Sequence, residues 1–112
     1  MPLPNYAVNL AQLSLLKPLA VAKHVHTKRE NNFLPTFADI KAEVTENTVA
    51  IILTYPTNPS QATYEGERLS DLTAMINFCQ EQGIFLIVDN IYQDLLFPIG
   101  RASKNYSIGQ PL

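Results

Sequence analysis

Val49-Ala-Ile-Ile-Leu53, then Tyr55-Pro-Thr-Asn-Pro59, then Ile84-Phe-Leu-Ile-Val88 running straight into Asp89-Asn-Ile-Tyr92 decide the fold of this chain. Each apolar run is short and continuous and contains β-branched residues, the pattern of a parallel-sheet strand covered on both faces. The interval between them reads as an amphipathic helix from Glu65 to Gln82, with Leu69, Leu72, Ile76 and Cys79 on its buried face. Glu65 and Glu67 sit near its positive end, and Gly83 is placed to take the left-handed conformation that closes a helix. Strand, helix and strand with short joints make a right-handed parallel crossover. An aspartate ending such a strand, as Asp89 does, points into the crevice where open α/β sheets bind ligands.

Working outward, Thr36 begins a short helix, with Asp39 three residues on as a capping-box variant and Phe37, Ile40 and Val44 as its buried stripe. The polar stretch Thr27–Asn32 reads as a loop. Leu19–Val25 alternates weakly, with Val21 and Val25, and is expected to form a strand. Residues 6–16 carry Leu10, Leu13 and Leu16 at helical spacing, and Pro18 ends that helix. After Phe97 the residues Pro98, Gly100, Gly109 and Pro111 break up a polar tail without periodicity.

The chain has 112 residues, enough for one domain and too few for two. Ten acids against eight bases give a net charge of −2. The bases are scattered except for His24, His26, Lys28 and Arg29, so neither a nucleic-acid footprint nor a polybasic membrane patch is present. His24 and His26 would share one side of a strand, yet no third metal ligand is in view and no metal is assigned. Cys79 is the single cysteine and falls on an apolar helix face, which excludes an internal disulfide and suits a packed core. Leu10–Ala22 imitates a secretion signal, but no basic residue precedes it, and Asn9, Gln12, Lys17 and Pro18 interrupt it. No run approaches the ~20 apolar residues of a membrane span. The expectation is a soluble, cytoplasmic protein.

These segments, with Phe33-Leu-Pro35 and the helix after it, resemble the middle of the large domain of class I and II aminotransferases, which are fold type I pyridoxal-phosphate (PLP) enzymes. The similarity runs from Pro4-Asn-Tyr6 to about Phe97. It implies an α/β, three-layer αβα architecture with a short, mostly parallel sheet of about three strands. Residues 1–97 would form a partial large domain and 98–112 a loop or frayed tail. The implied cofactor is PLP, an electron sink whose pyridine nitrogen is most effective when protonated; a carboxylate held against that nitrogen stabilises the cation. The resemblance gives this role to Asp89, and gives Asn58 and Tyr92 the hydrogen bonds to the phenolic oxygen. Taken singly, Asp89 also reads as a helix cap or turn former, Asn58 as a turn residue before proline, and Tyr92 as packing.

The chain departs from the family pattern at several points. The usual Asn-Pro-Thr-Gly turn reads Asn58-Pro-Ser-Gln61, the usual Asp-Glu reads Asp89-Asn90, and the aromatic that stacks on the pyridine ring falls at Leu3. Nothing matches the phosphate-gripping loop. Lys104 follows Asp89 too soon and lacks the flanking pattern of the Schiff-base lysine, so no catalytic residue is assigned. The expected function is a fragment, or one piece of a split form, of an aminotransferase moving an amino group between an amino acid and a 2-oxo acid, and not catalytic alone. A non-enzymatic binding protein derived from the fold, or a fragment of a related lyase or decarboxylase, is the alternative. Strand edges and apolar faces left bare point to self-association or to a homologous aminotransferase chain as partner.

Overall fold

A computed structural model describes residues 1–4, 7–16 and 19–95. The expected crossover is present: β3 (Ala50–Thr54) and β4 (Phe85–Asp89) run parallel, in register from Ala50 opposite Phe85 to Thr54 opposite Asp89. Between them a 3-10 turn (Gly66–Arg68) leads into α3 (Leu69–Gln82). Gly83 closes α3 at φ +67°, its N–H and that of Ile84 both donating to the Cys79 carbonyl. Glycine suits this position because a Cβ there would crowd the backbone.

Side chains alternate across a strand, and here the alternation divides core from cleft. Ile51 and Leu53 are buried in one cluster with Ile40, Leu72, Met75 and Cys79, and Leu86 packs against it. The opposite side of the ladder carries Ala50, Ile52 and Thr54 with Phe85, Ile87 and Asp89. That side is thinly covered, with Phe85 74% and Ile87 51% exposed. The runs therefore belong to a sheet sealed on one face only, not on both.

Helix α2 (Phe37–Glu43) opens on the expected capping box: Asp39 N–H donates to Thr36 Oγ1 at 3.0 Å, and Thr36 N–H donates to Asp39 Oδ2 at 2.9 Å. Ile40 is its buried residue, with Phe37 and Val44 half-buried beside it. Helix α3 buries Leu72, Met75 and Cys79, while Ile76, expected in that stripe, faces outward. One residue turns a helix by about 100°, so Met75 and Ile76 compete for one slot and the flexible methionine fills it.

The N-terminal part differs more from expectation. Helix α1 (Ala7–Ser14) forms, whereas Leu19–Val25 does not make a strand. Only β2 (Val25–His26) pairs, in parallel with β1 (Pro2–Leu3), and Leu19 and Val21 are about nine-tenths exposed. The described strands thus make two separate pairs rather than one sheet of about three. Helix α1 lies on the thinly covered side of β3–β4 and the other two helices on the core side, which is the αβα layering. Asn5 and Tyr6 of the matched opening, Pro18, Phe97, and the tail 98–112 with Lys104 lie outside the described residues.

Candidate cofactor site

The loop after β3 is tied by Thr57, a buried polar residue. Its N–H donates to the Ala62 carbonyl at 3.1 Å, its hydroxyl oxygen accepts from Ala62 N–H at 3.0 Å, and its carbonyl accepts from Gln61 N–H at 2.7 Å. Thr57 and Ser60 also share a hydroxyl contact. Gln61, at the place of the family glycine, takes φ +55°, a left-handed conformation costly for a residue with a Cβ. This closed turn presents Asn58.

Beyond β4, Asp89 Oδ1 accepts from Ile91 N–H at 3.3 Å, and Asn90 Nδ2 donates to Gln93 Oε1 at 3.0 Å. The resulting turn brings Tyr92 back to the first loop, where Asn58 Nδ2 donates to the Tyr92 hydroxyl oxygen at 2.8 Å across 34 positions of sequence. Because that oxygen accepts, its own proton remains available to donate, as does the second amide proton of Asn58. Two adjacent donors suit an oxygen carrying negative charge.

Asp89 lines a separate cleft, of about 480 Å³, between the end of β4 and α1, which neither Asn58 nor Tyr92 borders. Asn58 borders a much smaller crevice of about 10 Å³ with Thr54, Thr57 and Tyr64. Ile52 lines both. Asn58 and Tyr92 are thus brought together, while Asp89 opens into the adjoining space. Leu3 is half-buried on β1, and its neighbours Pro2 and Pro4 line the Asn58 crevice. Among the described residues no group of three or more His, Cys, Asp or Glu side chains gathers; His24 Nδ1 is buried without a hydrogen-bond partner.

Two clusters escaped the sequence reading. Asn9, the one buried residue of α1, donates from Nδ2 to Thr54 Oγ1 at 3.0 Å. Nothing in the local pattern signals a polar residue whose partner lies 45 positions away. The second cluster fixes α2 to α3. Asp71 Oδ1 accepts from Phe37 N–H at 2.8 Å, Arg68 Nη2 donates to the Leu34 and Pro35 carbonyls at 3.3 Å, and the Tyr64 hydroxyl donates to Pro35 at 2.9 Å. Arg68 Nε is 3.3 Å from Asp71 Oδ2, close enough for ionic attraction but not aligned as a hydrogen bond. Burial pushes the Tyr64 phenol far up, so it stays a neutral donor. The one local signal of this cluster is the Arg-x-x-Asp spacing at the start of α3, which the sequence reading passed over.

The parallel strands joined through α3, with helices on both sides, are those of a partial α/β transferase domain. The family model for class I and II aminotransferases matches residues 6–107, and the chain belongs to that family, whose members are fold type I PLP enzymes. It is 39% identical over 77 residues to a probable aspartate/prephenate aminotransferase of Aquifex aeolicus, covering 69% of this chain and 19% of that protein. It is 33% identical over 96 residues to the putative aminotransferase YugH of Bacillus subtilis, covering 86% of this chain and 24% of the relative. A solved aromatic aminotransferase from Pyrococcus horikoshii superposes with a TM-score of 0.62 at 28% identity, over 70% of this chain and 20% of that one. The chain therefore spans about a quarter or less of the relatives it matches. Among the described residues no helix is long and apolar enough to cross a membrane.

Proposed function

We propose that this chain supplies the ring-holding residues of an aminotransferase cofactor site: Asp89 toward the pyridine nitrogen, Asn58 and Tyr92 toward the phenolic oxygen of PLP. The observation that carries this reading is the 2.8 Å bond from Asn58 Nδ2 to the Tyr92 hydroxyl, which joins two loops and leaves each side chain one further proton to donate. A phenolate is the ligand such donors fit best. Asp89, at the tip of β4 and open to a cleft, supplies the complementary charge for a protonated ring nitrogen. When bound, PLP provides the electron sink on which amino-group transfer between an amino acid and a 2-oxo acid depends. The protein's own part is narrower: Asp89 keeps a proton on the ring nitrogen, and Asn58 and Tyr92 orient the ring and stabilise negative charge on its oxygen. Leu3 offers an apolar contact in place of an aromatic stack.

No lysine of the chain is assigned to the Schiff base, so ring binding is proposed here without turnover. The bare Phe85, Ile87 and Ile91 support association with a second copy or a homologous aminotransferase chain. The free, buried Cys79 thiol supports a cytoplasmic setting. Titration with PLP, borohydride reduction and peptide mapping test the assignment. Saturable binding that Asp89→Ala abolishes, without one stoichiometric lysine adduct, is the expected result. A single adduct at Lys104 would overturn the non-catalytic reading, and undiminished binding by Asp89→Ala would overturn the site.

A further inference from the structure

We infer that Asn9 is a positioning residue for Asp89: through its bond to Thr54 it holds α1 as the roof of the Asp89 cleft and so sets how strongly that carboxylate pairs with a cationic ring. The inference rests on the ring-holding role proposed for Asp89. Asn9 is the sole buried residue of a helix whose Val8 and Leu10 are 41% and 44% exposed. Burying an amide is unfavourable unless it is bonded, and its bond goes to Thr54 Oγ1 at 3.0 Å. Thr54 is the last residue of β3 and the register partner of Asp89. The latch therefore closes at the rung of the ladder that carries the carboxylate.

Leu13, one helical turn beyond Asn9, and Leu16, just past the end of α1, line the cleft with Ile52 and Ile87. An ion pair in such apolar surroundings is screened less than one in water. With the latch released, α1 has no other buried side chain to hold it, more water reaches Asp89, and the pairing weakens.

The test uses the full chain and 4′-deoxypyridoxine 5′-phosphate, an analogue without the aldehyde, so that no lysine adduct forms. Affinity is measured by titration, and the pH midpoint for deprotonation of the bound ring nitrogen by near-ultraviolet absorbance. Asn9→Ala is expected to weaken binding by about tenfold and to move that midpoint down by about one pH unit. Thr54→Val should do the same, and the double variant little more, since both cut one bond. If Asn9→Ala fails to fold, Thr54→Val, which keeps side-chain volume, carries the same expectations. An affinity loss with an unmoved midpoint would show general loosening and overturn the inference. So would unchanged binding by both variants while Asp89→Asn loses affinity and midpoint shift together, an outcome that leaves the ring-holding role intact. No effect of Asp89→Asn would remove that role and this inference with it.

Discussion

Replacing Gln61 with glycine should make the protein more stable, although it deletes a whole side chain. Gln61 holds φ +55°, where an L-residue's Cβ crowds the next carbonyl oxygen at a cost of roughly 1–2 kcal/mol. Its side chain is exposed, so little packing is lost, and its N–H bond to the Thr57 carbonyl at 2.7 Å is available to any non-proline residue. Glycine removes the crowding but gives the unfolded chain roughly 0.5–1 kcal/mol of extra conformational freedom. The net gain is about 0.5–1 kcal/mol, equivalent to a rise in Tm of roughly 3–6 °C for a domain of this size. Thermal melts followed by circular dichroism, with urea titration as a second measure, would read it. Gln61→Ala is the control: it removes the same polar group yet keeps the Cβ, and should stay within about 0.5 kcal/mol of the parent. A glycine variant that melts at or below the parent, or an alanine variant that gains as much, would refute the reasoning.

The core reading makes Met75→Ala cost about 3 kcal/mol in urea unfolding, while Ile76→Ala, one position on, costs less than about 1; equal losses would misplace the helix face. Asp71→Ala should lose about 2 kcal/mol because the first N–H of α2 loses its acceptor, and Asp71→Asn about half of that. Desolvation pushes the Asp39 carboxyl up, but the Thr36 N–H and Thr36 hydroxyl, aided by Lys28 and Arg68, outweigh it and hold the group below the usual carboxylate range. The folded state then binds fewer protons than the unfolded one, so this stabilisation is present above the ordinary carboxyl range and lost as pH falls through the folded value. Asp39→Asn should flatten the acid loss of stability measured by urea midpoints between about pH 6 and pH 2, and an unchanged slope would count against the capping carboxylate. Burial raises the Cys79 thiol pKa, so an aromatic disulfide reagent should label it slowly in the folded protein and at once in urea.

The elements legible in the sequence are those whose pattern is local. The two apolar runs, the amphipathic α3 and Gly83 each carry their own signal, and Thr36 with Asp39 spells out a cap within four residues. The strand expected at Leu19–Val25 failed because alternation is only half of what a strand needs. The other half is a neighbour, and Pro2–Leu3 reaches only Val25 and His26. Asn58 and Tyr92 were legible as a pair through the family pattern, whereas the bond that joins them, across 34 positions, was not. Asn9 was not legible, since a polar residue on a short helix looks solvated until the strand it touches is known. The same holds for the bare side of β3–β4, because an apolar run does not say how many of its faces are covered.

The register of β3 against β4 has a further consequence for the carboxylate. Asp89 belongs to the same parity class as Phe85 and Ile87, while Leu86 faces the layer of Ile51 and Leu53. A slip of one residue would reverse both sets at once, driving Asp89 into that apolar layer, where an unpaired charge costs several kcal/mol. Hydrophobic packing thus acts as an error-correcting code for the aim of the acid. Mutations that blur the odd–even contrast of these strands, far from any ligand, should misdirect Asp89 before they unfold the domain.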